Sequence, residues 1–127
     1  GKLVDFYISG SEGENVTDSL FTGNKVLIIL YDISRSKLEK IMELKTFIDG
    51  LKQKNADVWV ISGSRKSEVM EFSKKHGLGE KLFFGDQVLL KSMIRSNPGI
   101  MFLNEGTILG KWHINKLPSM GTMETIL

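Results

Sequence analysis

Residues 97–112 read Asn97-Pro98-Gly99-Ile100-Met101-Phe102-Leu103-Asn104-Glu105-Gly106-Thr107-Ile108-Leu109-Gly110-Lys111-Trp112. A proline opens the stretch, an apolar run follows, and Asn104-Glu105-Gly106-Thr107 separates that run from a second β-prone segment. Turn residues between two such runs predict a hairpin. A second decisive stretch is Lys25-Val26-Leu27-Ile28-Ile29-Leu30-Tyr31, an unbroken apolar run rich in branched side chains. Runs of this kind suit a strand covered on both faces, as in a parallel sheet.

Working outward, residues 3–9 read as a strand, residues 10–15 as a turn, and Val16-Thr17 as a short return strand. Residues 32–35 form a strand-to-helix loop. Ser36 and Glu39 have capping-box spacing, and Leu38, Ile41, Leu44, Ile48 and Leu51 recur at helical intervals, so a long amphipathic helix is expected. Asn55 ends it, and residues 57–61 give the next strand. Ser62-Gly63-Ser64 is expected to start a second helix that buries Val69, Met70 and Phe72 and stops at Gly77. Residues 81–84 read as a short edge strand, Asp86 caps a third helix reaching about Ile94, and residues 120–127 form a last short helix. Strand–helix–strand alternation followed by a late hairpin predicts an α/β fold, a mixed central sheet with helices on both faces.

Composition bounds the function. The chain has 127 residues, enough for one domain with its own core. Lys and Arg number 17 against 15 Asp and Glu, are scattered, and leave a net charge of +2, so no nucleic-acid partner is expected. The run Lys74-Lys75-His76 fits a helix C-terminus, where cations are favoured. No segment approaches the ~18 apolar residues that a membrane helix requires. The chain opens at Gly1 rather than Met, and is expected to be a domain, residues 1–127, taken from a longer protein. His76 and His113 have no carboxylate or histidine at metal-ligand spacing, so neither a metal nor another cofactor is expected. Ser62-Gly63-Ser64-Arg65-Lys66 lacks the full phosphate-loop pattern and reads as capping. The scattered methionines read as core filler.

Two blocks resemble the thioredoxin-like superfamily, in its TlpA and peroxiredoxin-like branch. One runs from Val4-Asp5-Phe6 through Gly10, Gly13, Val16-Thr17, Leu20 and Gly23 to the strand at residues 25–31. The other is the hairpin led by Pro98. The resemblance implies a three-layer α/β/α sandwich with an N-terminal β-hairpin extension. It also implies a cis peptide bond at Asn97–Pro98, with the backbone just before the proline available to extended peptide. The first block combined with residues 90–99 and Gly110-Lys111-Trp112-His113 further resembles the C-terminal soluble domain of bacterial DoxX-family membrane proteins. That likeness implies a membrane-associated full-length protein, with its own membrane portion or another protein as partner; it does not say on which side of the membrane the domain lies.

One departure decides the chemistry. Redox relatives open the helix after the first central strand with two cysteines, near Arg35-Ser36-Lys37-Leu38 here, and this chain contains no cysteine. Thiol–disulfide exchange needs a thiolate. Ser36 reads as a helix cap without a neighbouring base. The expected function is a redox-inactive interaction or scaffolding module. The alternatives are an oxidoreductase domain whose cysteines come from another segment or partner, and a small-ligand sensor. The expected binding groove comprises Asp32, Ser34, Arg35, Ser36, Arg95, Ser96, Asn97 and Pro98. Arg95 supplies a fork of donors for carboxylate or phosphate.

Overall fold

The computed structural model describes residues 6–79 and 81–127. The expected first strand therefore lies partly outside the described residues, as do Val4 and Asp5 of the resemblance block. Strand β1 is Ile8–Ser9, and β2 is Asn24–Leu30 at the centre of a six-stranded sheet. On one side β2 runs parallel to β3, Val58–Ser62, with Ile28 opposite Val60. On the other it runs antiparallel to β5, Gly99–Asn104, with Ile28 opposite Ile100. Beyond β3 lies the parallel β4, Leu82–Gly85, and beyond β5 the antiparallel β6, Thr107–His113. The order is β1-β4-β3-β2-β5-β6.

Alternation along β2 divides the core. Val26, Ile28 and Leu30 face helix α2, Leu38–Gln53, and meet its Ile41, Leu44, Ile48 and Leu51. The short α5, Met120–Ile126, adds Met123 to that layer. Leu27 and Ile29 point the other way, toward Leu20 of α1, Thr17–Leu20, and Leu90 of α4, Gln87–Met93. The sandwich has three layers, as expected.

Local signals account for several boundaries. The Asp86 carboxylate accepts the Leu89 amide at 3.0 Å and starts α4. Helix α3, Lys66–His76, ends at Gly77, whose φ of 67° is left-handed. Both central residues of the β5–β6 turn have positive φ, 47° at Glu105 and 82° at Gly106, the mirror-image turn that matches strand twist.

Other expectations are corrected. The segment at residues 81–84 is not an edge strand, because β1 pairs with its outer side. Val16-Thr17 is not a strand. The N-terminal hairpin shrinks to one bridge between Ser9 and Asn15, and Thr17 opens α1 because its hydroxyl accepts the Ile8 amide at 2.9 Å. Leu38 is 63% exposed, since it is the first residue of α2 and the apolar stripe begins one turn later. Met70 also faces outward. Val69, Phe72, Ser73 and His76 share the inward side of α3 at three- and four-residue steps, which leaves Met70 opposite.

Ile28 is fully buried, so Ile28→Ala should cost ~2–5 kcal/mol in chemical denaturation. A loss below ~1 kcal/mol would contradict a central, doubly covered β2.

Candidate functional site at the carboxyl end of the central strands

Strands β2, β3 and β4 are parallel, so their carboxyl ends share one rim of the sheet, the place where open α/β sheets carry their sites. The β2–α2 loop and the segment entering β5 meet there. Asn97 joins them: its carboxamide oxygen accepts the Asp32 amide at 3.2 Å and its nitrogen donates to the Asp32 carbonyl at 2.7 Å. The side chain thus pairs with Asp32 as a neighbouring strand would. The Asn97–Pro98 bond is cis and Pro98 is buried.

Within the loop, residues Ile33–Arg35 form a single 3-10 turn capped by Asp32. The Asp32 carboxylate accepts the Ser34 hydroxyl at 2.6 Å and the Ser34 amide at 3.0 Å. The Ser34 hydroxyl holds this carboxyl below the ordinary carboxylate range against partial desolvation, and the Ser34 amide, Arg35 and Lys91 add to the lowering. Arg35 lies 3.5 Å from the carboxylate, but its side chain is 71% exposed, and such pairs contribute little. The paired amide of Asn97 is the stronger tie.

The structure brings Asp32, Ser34, Arg35 and Asn97 together and assigns the others differently. Ser96 is buried; its hydroxyl donates to the Pro98 carbonyl and accepts the Ile114 amide at 3.1 Å, so it braces the fold. Ser36 does not cap α2, which begins at Leu38 behind Lys37 with no side-chain cap. Its hydroxyl is buried and makes no hydrogen bond, so no base is placed to activate it. Arg95 is exposed, and its carbonyl accepts the Tyr31 hydroxyl at 3.4 Å.

Three contributors escaped the sequence reading. The Ser64 hydroxyl accepts the Ile33 amide at 3.1 Å, pinning the loop to the β3–α3 connection instead of capping α3. Tyr31 presents its carbonyl to the Gln87 side-chain nitrogen at 3.0 Å, which ties α4 to the loop. Gly63 allows this approach, because a Cβ there would lie 2.7 Å from the Gln87 Cα and 2.8 Å from the Tyr31 carbonyl oxygen. The glycine between two serines was the available signal. Beside the loop, a cleft of about 360 Å³ opens between Ile33 and the Phe72 and His76 side of α3.

No protein-family model and no curated protein matches the sequence. Solved structures do match the fold. BsSco, a member of the Sco family of cytochrome c oxidase assembly proteins, superposes with a TM-score of 0.68 at 13% identity, covering 95% of this chain and 88% of its own. StoA from Bacillus subtilis gives 0.61 at 14% identity, covering 94% and 93%. Copper-bound ScoI from Arabidopsis thaliana gives 0.59 at 15% identity, covering 94% and 91%. The chain has a thioredoxin-like fold. A thiolate-ligated copper site does not fit its residues. Thiolates are missing from the whole sequence, and no group of three metal-ligating side chains occurs among the described residues.

Asn97→Ala removes both bonds to Asp32 and should cost about 1–3 kcal/mol, with faster amide exchange across residues 31–37; an unchanged stability would contradict the tie. The lowered Asp32 carboxyl has a definite sign. Its stabilisation is complete above the unfolded value of about 3.9 and is lost as pH falls through the lower folded value. The stability gap between the native chain and Asp32→Asn should therefore close in denaturation series run from about pH 6 to about pH 2. A gap independent of pH would contradict the assignment.

Proposed function

We propose that this chain is a cysteine-free thioredoxin-like domain that binds extended polypeptide without exchanging disulfides. It serves as the interaction or scaffolding module of a bacterial membrane protein of the DoxX type. One observation carries the binding half of this reading. Among the described residues, no hydrogen bond engages the backbone amide or carbonyl of Asn97, although β5 pairs with a strand on each side from Gly99 onward. Unpaired backbone groups next to a sheet end are the complement of an added extended segment. The Asn97 side chain, locked on Asp32, holds that backbone in place before any ligand arrives, which lowers the ordering cost of binding.

The absence of a thiol removes the reaction that the fold performs in redox relatives. The membrane half rests on the sequence resemblance of residues 90–99 and 110–113. Among the described residues no helix is long and apolar enough to cross a membrane, and the reading places the membrane portion elsewhere in the full-length polypeptide.

Two measurements test the reading. In an insulin-reduction assay with dithiothreitol, the domain should match the protein-free control, and turnover above it would contradict the binding-only role. Titration of the isotope-labelled domain with carboxymethylated insulin B chain should shift amide resonances at residues 31–36 and 95–97. Shifts confined to other surfaces, or none, would overturn the assignment.

A further inference from the structure

The rim beside Asn97 is uneven in charge, and the unevenness lies on the α4 side. Tyr31 forms its floor. The ring lies 5.5 Å beneath the Lys91 ammonium, and the hydroxyl reaches the Arg95 carbonyl. Lys91 and Arg95 are both exposed, and among the described residues neither has a carboxylate within ion-pair distance. Two carboxylates of the adjoining loops are already engaged. Asp32 is held by Ser34 and Arg35, and Asp86 caps α4 through the Leu89 amide. On the opposite flank, beyond Ile33, Glu68 and Glu71 line the cleft together with Lys75 and His76, so that side has carboxylates of its own. One apolar side chain accompanies the cations. Val88 is 75% exposed and stands one turn before Lys91 on the same face of α4.

Resting on the peptide-binding reading above, we propose that the segment taken at Asn97 is acidic. Its backbone pairs with the Asn97 amide and carbonyl, its carboxylates meet Lys91 and Arg95, and an aliphatic side chain beyond the carboxylate at Lys91 lies on Val88. Arg95 can hold a carboxylate through two parallel donors, and Lys91 supplies a point charge already seated on an aromatic face. A segment carrying Lys or Arg at those places would face two unpaired cations and be disfavoured.

The test uses three fluorescein-labelled eight-residue peptides of one aliphatic frame, carrying two Glu, two Gln or two Lys, measured by anisotropy against the domain. The Glu peptide should bind about five- to tenfold more tightly than the Gln peptide, as expected for two partly exposed ion pairs. That advantage should shrink as salt rises. The double variant Lys91→Gln/Arg95→Gln should bind the Glu and Gln peptides equally. Charge reversal with Lys91→Glu/Arg95→Glu should transfer the preference to the Lys peptide. Equal binding of Glu and Gln peptides would overturn the acidic preference and leave the peptide site standing. Binding of none of the three would overturn both. Association with phosphatidylglycerol vesicles that the Glu peptide cannot compete away would overturn the proposal in favour of a lipid surface.

Discussion

Burial of β2 on both faces is the constraint from which the molecule follows. Residues 25–30 are all buried, and five of the six are aliphatic. A strand with two apolar faces needs a helical layer on each, and α2 with α5 and α1 with α4 supply them. It also needs a paired neighbour along each edge. β3 provides a parallel one after the α2 crossover, and β5 an antiparallel one that feeds the hairpin. Lys25 shows how strong the constraint is. Its ammonium is kept at the margin by the Thr22 carbonyl, the Asp57 carboxylate and the Trp59 ring, while the rest of the side chain is buried.

From that arrangement the site follows without dedicated machinery. The parallel strands bring three loops to one rim, and the entry to β5 arrives beside them because β5 pairs with β2. Side-chain amide and hydroxyl groups then fasten the loops to one another: Asn97 to Asp32, Ser64 to Ile33, Gln87 to Tyr31. In a redox relative this neighbourhood would position thiols. Here the same fastening holds the Asn97 side chain on Asp32 and leaves its backbone without a hydrogen-bond partner among the described residues.

What the sequence showed and what it hid have a common physical origin. The buried run of β2, the hairpin turn, the Gly77 stop and the Asp86 cap were legible because each is decided within a few residues. The return at Val16-Thr17 failed although it is local, because the Thr17 hydroxyl competes for the Ile8 amide and turns the chain into α1. Ser36, Ser64 and Ser96 look alike in the sequence and do different things, since their partners are decided by the tertiary fold. Ser64 acts on a residue 31 positions away, and Asn97 on one 65 away. Asp32 and Asn97 are named together only through the resemblance, and nothing local to either residue indicates that the carboxamide itself makes the tie. In the sequence Tyr31 is only the end of a strand, and its place beneath Lys91 depends on where α4 docks.

In the proposed site Asn97 offers an ordered but unpaired backbone to an extended segment. Site-resolved amide hydrogen exchange, with and without carboxymethylated insulin B chain, tests it most directly. Slow exchange is expected at the amides of residues 26–30, near-unprotected exchange at Asn97 in the free domain, and protection of Asn97 by at least about tenfold when the peptide is present. An Asn97 amide already protected in the free domain, or one unchanged by a peptide that binds, would contradict it.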